Sequence, residues 1–152
     1  MYTGILLLHS YARWVVLAVA LVTLVRTSAS NSAKAAWTPL DDKFSLALVG
    51  LADLQLLIGL VLWLFVSPIT QIAFHDGMFT GEAVTFFALV HPVAMIAAVA
   101  WLHVGRVRLK KLPVATERHG RWRRSTIAFL GLVVIAIPWP SLIYGRPLFR
   151  IP

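Results

Sequence analysis

The 152-residue chain is 59% hydrophobic and only 13% charged, with a mean hydropathy of +0.81, and its apolar residues lie in long uncharged runs that suit membrane spans better than a soluble core. With no cysteine, disulfides, thiolate metal sites and covalent CxxCH haem attachment are excluded. The net charge of +8 comes mostly from loops beside the apolar runs and has no nucleic-acid-binding fold or aromatic pattern with it, so it points to topology and membrane-lipid contact, not to nucleic acid.

Four windows, residues 5–25, 46–66, 83–104 and 126–144, approach the roughly 20 apolar residues needed to cross a hydrocarbon core of about 30 Å. The expectation is an all-α integral membrane four-helix bundle, a single transmembrane domain over residues 1–152. The first window has no basic leading segment and no small-residue cleavage pattern, and Arg13 lies near its centre, so it reads as mature structure and not as a secretory signal. It also carries His9. Ionisable residues inside a span are costly, which makes each a functional candidate.

Next comes a small, polar segment, RTSASNSAKAAW, expected to be a flexible connection, and then TPLDDKF. There Thr38 can cap, Pro39 fits the first helical position and Asp41 suits a helix N-terminus, so the second helix should begin near Pro39, below the lipid. Asp53 and Gln55 follow within that span. Ser67-Pro68 repeats the cap-then-proline signal and predicts a short interfacial helix to Phe74. After the turn HDGMFTGE, Thr80 is the expected cap of the third spanning helix, which carries Phe86, Phe87, His91, Pro92, Met95 and His103. Ala94, Ala97, Ala98 and Ala100, with Gly50, Ala52 and Gly59 on the second helix, would allow close backbone packing. His119 falls in the basic loop that follows, and IPWPSLIYGRP distorts the far end of the fourth span.

Eight of the fourteen basic residues lie between Arg106 and Arg124; Arg26, Lys34 and Lys43 follow the first span, and residues 67–82 have none. The positive-inside rule then puts both basic loops in the cytoplasm and both termini on the outer, periplasmic side. Arg146 and Arg150 in the tail run against this but are outnumbered.

At about 1.5 Å per residue, His9 lies roughly 6 Å and His91 roughly 12 Å below the outer surface, a difference that helix tilt can remove. Two imidazoles on facing helices can take both axial positions of a haem iron, with Phe86, Phe87 and Met95 along the ring and a proline kink at Pro92 making room. Each histidine can equally be a structural hydrogen-bonding residue. Arg13, one turn below His9, can bind a haem propionate, a quinone oxygen or another anion; the structural alternative is a buried pair with Asp53, which comes to a similar depth. Gln55 can support that polar layer or contact a quinone. His103 is twelve residues below His91 and points about 120° away, so a second bis-histidine haem is not supported and His103 belongs to the inner interface.

The stretches HSYARW (His9 to Trp14), DLQLLIG (Asp53 to Gly59), HP (His91, Pro92), LHVGR (Leu102 to Arg106) and IPWP (Ile137 to Pro140) together resemble small bacterial four-helix membrane proteins of the cytochrome b-like type. The resemblance implies location in the bacterial inner membrane, one b-type haem with His9 and His91 as ligands, and electron exchange with a quinone or a redox protein. In that family an acidic residue often precedes the third-helix histidine, where this chain has Val90. The competing expectation is a cofactor-free accessory subunit of a larger respiratory or photosynthetic membrane complex, motivated by the small size and the lack of a Ser-His-Asp set or carboxylate pair. A transporter is less favoured, because no internal repeat or paired broken helix is present.

Overall fold

The computed structural model describes residues 1–149; Arg150, counted above among the tail charges, lies outside them. The described chain is helical, without strands: α1 (Tyr2–Ser32), α2 (Pro39–Val61), α3 (Pro68–Asp76), α4 (Glu82–Thr85), α5 (His91–Lys110) and α6 (Glu117–Ala136). A π-helical turn at Leu62–Val66 prolongs α2, and another at Phe86–Val90 joins α4 to α5. Three resulting rods, Tyr2–Ser32, Pro39–Val66 and Glu82–Lys110, are long and apolar enough to cross a membrane, which fits a helical membrane protein.

The fourth long helix differs from expectation. α6 starts nine residues before the expected span, so Glu117 and the arginines at 118, 121, 123 and 124 are helical, as is His119, which was expected in the loop. It stops at Ala136, where Ile137 is extended with Pro138 and Pro140 following. From Thr126 that leaves about 16 Å of apolar helix at about 1.5 Å per residue.

Local chemistry accounts for the other boundaries. α1 runs through the expected flexible connection to Ser32, with the Thr27 hydroxyl donating to Thr23 O (2.8 Å) and the Ser32 hydroxyl to Ser28 O (3.1 Å); such back-bonding lets small polar residues stay helical. α2 begins as anticipated, with a capping box between Thr38 and Asp41 and Pro39 in the first turn. The short helix after Ser67-Pro68 forms as α3, and Gly77 (φ 106°) makes the turn that ends it. Thr80 does not cap α4; its hydroxyl donates to Gly77 O, and Gly81 takes the cap position.

The long helices close into a ring: α1 packs on α2 and α6, and α5 packs on the same two. α1 and α5 are therefore diagonal across the centre. Leu48, Leu102, Ala20, Ala98 and Trp122 are fully buried within the ring. Of the small residues expected at helix contacts, Ala52 and Ala98 are buried, whereas Gly50, Ala97 and Ala100 are exposed. α5 and α6 approach closely at Gly105, where a Cβ would lie 2.6 Å from the Ser125 hydroxyl.

Candidate functional site

His9 of α1 and His91 of α5 face each other across the diagonal, with ring centres 6.3 Å apart and planes at 74°. They border a partly open cavity of about 150 Å³, lined also by Arg13, Gln55, Trp63 and Arg146. The expected ring neighbours are present: Phe87 and Met95 line the cavity, and Phe86 lies 5.9 Å from the His91 ring.

Each histidine is held by a different helix. Gln55 Nε2 donates to the His9 carbonyl at 2.9 Å and sits 3.3 Å from its ring Nδ1. The other support is space: a Cβ on Gly59 would come 3.0 Å from His9 Cε1, so the ring rests on α2 where there is no side chain. His91 Nδ1 donates to Ala136 O at 2.8 Å. Because a carbonyl can only accept, that bond fixes Nδ1 as protonated and directs the other nitrogen, Nε2, to act as the base or ligand.

One proline and two helix ends explain why carbonyls are free for these contacts. A proline has no N–H, so inside a helix the carbonyl four residues earlier loses its donor: Pro92 frees Ala88 O, which accepts from Trp63 Nε1 (2.9 Å). α6 stops at Ala136 with Ile137 extended, so Val134 O and Ala136 O have no helical donor and accept from Trp139 Nε1 (2.8 Å) and from His91. Leu64 O, at the end of the π-helical turn that prolongs α2, is taken by Gln71 Nε2 at 3.1 Å. Ala88 O thus ties the third rod to the end of α2, and Ala136 O ties α6 to His91, beside the cavity.

The expected Arg13–Asp53 pair does not form. Asp53 Oδ1 lies 2.8 Å from His103 Nε2 on the α2/α5 flank, with both side chains about half exposed, while Arg13 Nη2 donates to Leu148 O at 3.0 Å and its guanidinium lies over the Trp14 ring. Depth alone suggested the pair; rotation prevents it, because Gln55 faces α1 and a residue two positions away points about 200° round the helix. Gln55 therefore reaches the histidine layer and Asp53 cannot. The sequence reading placed His103 at the inner interface without a partner.

A separate polar cluster locks the ends of the helices remote from the histidine pair. Arg26 reaches Asp41 (2.7 Å) and Arg106 reaches Asp42 (2.8 Å), while the buried His119 ring stacks at a tilt near Trp37, with Nε2 3.4 Å from Ala36 O and 3.8 Å from Asp41 Oδ2. These carboxylates precede the apolar stretch of α2. Burial works against ionisation of Asp41, but hydrogen bonds from Thr38 and Arg26 outweigh it and hold its pKa below the ordinary value. Asp42 is held low chiefly by the Arg106 hydrogen bond.

Sequence reasoning missed Trp63 and Arg146 at the cavity. The signal for Trp63 was an indole that needs an acceptor and a proline, Pro92, that frees one; no comparable signal places Arg146, whose guanidinium lies over the Phe87 ring. Among the described residues no three metal-ligating side chains converge, so the protein offers an ion two opposed imidazoles and no closed ligand set. No family model, curated protein or solved structure matches the chain.

Proposed function

We propose that this protein carries one b-type haem between His9 and His91 and passes electrons between a quinone or redox protein and another component of the bacterial inner membrane. The observation that carries the reading is the 6.3 Å separation of the two rings across the bundle. At that separation one nitrogen of each ring would hold a single iron between α1 and α5. The donor set fits the group, as does an apolar lining with two arginines. A cavity of about 150 Å³ is smaller than a porphyrin, so in this reading the helices around it would part to admit the ring.

A bound haem would supply one-electron chemistry at its iron. The protein's contribution is positional and electrostatic. Ala136 O keeps His91 in the tautomer whose Nε2 ligates, Gln55 and Gly59 set the His9 ring, and Arg13 and Arg146 bring positive charge toward the carboxylates of the ring. In this reading α6 and the extended segment from Ile137 together complete a fourth crossing beside the three long apolar rods, with the arginine-rich start of α6 at the inner surface and both termini outside.

A dithionite-reduced minus air-oxidised spectrum of the detergent-purified protein tests the proposal. Sharp b-type bands, lost in both His9→Ala and His91→Ala while circular dichroism stays helical, are expected; full haem retention in either variant overturns the ligand assignment. The Asp53–His103 pair, half exposed within an apolar flank, favours a second reading, an accessory subunit packed against a larger membrane complex. That reading predicts a colourless bundle that co-purifies with the complex in mild detergent.

A further inference from the structure

A second cleft, of about 180 Å³, opens between α5 and α6 near their arginine-rich ends, with Arg108, Arg121, Arg124 and Ser125 on its polar side and Trp101 and Val104 on its apolar side. The pattern is legible in helical spacing: Trp101, Gly105 and Arg108 follow at i, i+4 and i+7 on one face of α5, and Arg121, Arg124 and Ser125 at i, i+3 and i+4 on one face of α6. Gly105 lets the helices meet closely at its base, since a Cβ there would strike Ser125.

What sets this cleft apart is its charge balance. Asp41, Asp42 and Asp53 are committed elsewhere, to Arg26, Arg106 and His103, and Glu117, one helical turn before Arg121, forms no ion pair with it among the described residues. None of the three cleft arginines forms an ion pair among the described residues, and no carboxylate lines the cleft. Three guanidinium groups around one opening repel each other, and an anion with several oxygens relieves that repulsion through charge-assisted hydrogen bonds. Trp101 and Val104, both exposed, provide an apolar wall about 10 Å of helix rise from Arg108 toward the middle of the span. A phosphate with hydrocarbon attached matches both halves.

We propose that this cleft binds an anionic phospholipid, its phosphate held by Arg108, Arg121 and Arg124 and its acyl chain lying against Trp101 and Val104. Inorganic phosphate shares the headgroup chemistry but leaves the apolar wall uncovered. The site is independent of the histidine pair and stands whether or not haem is bound.

The test is native mass spectrometry of the full chain in detergent, titrated with phosphatidylglycerol, phosphatidylcholine or inorganic phosphate. Wild type should retain one phosphatidylglycerol in preference to phosphatidylcholine, with no competition from inorganic phosphate. Loss of a surface-facing cation weakens anionic-lipid binding about fivefold, so R108Q/R121Q should weaken it about 25-fold, and K110Q/K111Q, which removes equal charge outside the cleft, should change it little. Equal loss in the two double variants, equal retention of the two lipids by wild type, or displacement of the lipid by inorganic phosphate each overturns the proposal. Should R108Q/R121Q not fold, Trp101→Ala replaces it: retention falling for phosphatidylglycerol supports the site, and unchanged retention overturns it.

Discussion

His91 Nδ1 and the Ala136 carbonyl, 2.8 Å apart, join the start of α5 to the last residue of α6, whose carbonyl has no helical donor because the helix stops there. Trp63 meets the Ala88 carbonyl in a related way, there because Pro92 removes the helical donor. A membrane interior offers no water to satisfy an open carbonyl, so each of these two creates a demand that a side chain on a neighbouring helix meets.

That coupling is measurable at Trp63 and Pro92. Trp63→Phe leaves Ala88 O without a donor and should lower stability by about 1–3 kcal/mol. Pro92→Ala restores the helical N–H, so the double variant should lose clearly less than the sum of the two single changes. Thermal melts of the four proteins in one detergent decide it; strict additivity would show that the two residues act separately.

Gly59→Ala should disturb His9 without touching the core elsewhere, since the added methyl meets the ring Cε1 at 3.0 Å and the ring must give way. On the proposed haem reading, the expected outcome is reduced haem retention or shifted reduced bands with a melting temperature within a few degrees of wild type. Unchanged spectra would mean that the ring position seen here is not the ligating one.

His103→Ala should leave the haem spectrum intact. Its ring is about 18 Å of helix rise from His91 and is engaged by Asp53 on the flank of the bundle. Loss of haem in this variant, with helicity preserved, would place His103 in the ligand set and displace His9 or His91 from it.

These cases also show what was legible in the sequence. Signals contained within a few residues read true: Thr38, Pro39 and Asp41 start α2, and Ser67-Pro68 announces α3. Depth counting placed His9 and His91 in one layer, because rise per residue is nearly constant in helices. It failed for Asp53, because a partner depends on rotation as well as depth, and Gln55 already occupied the face toward α1. The extension of α1 to Ser32 and of α6 down to Glu117 was hidden because hydropathy marks where lipid begins and not where the helix does. Destinations of freed carbonyls needed the packed bundle, since the donor lies on another segment.

The Asp41 and Asp42 cluster makes stability depend on pH in a definite direction. Asp41 and Asp42 have pKa values below the ordinary carboxylate value in the folded chain, through hydrogen bonds from Thr38 and Arg26 and from Arg106. A carboxylate that ionises more readily folded than unfolded adds stability above its unfolded pKa, near 4, and loses that contribution as pH falls toward the folded value. Melting temperature in detergent should therefore hold from pH 7 to about 5 and drop below about 4. In Asp41→Asn the drop should be shallower, and in Arg26→Ala stability at pH 7 should fall by about 2 kcal/mol, because Asp41, almost fully buried, loses its charged donor. His119 also stands near Asp41, so His119→Gln in the same series checks that the dependence belongs to the carboxylates. A wild-type curve parallel to that of Asp41→Asn at every pH would remove Asp41 as the source, whereas a curve flattened only in His119→Gln would assign the dependence to the histidine.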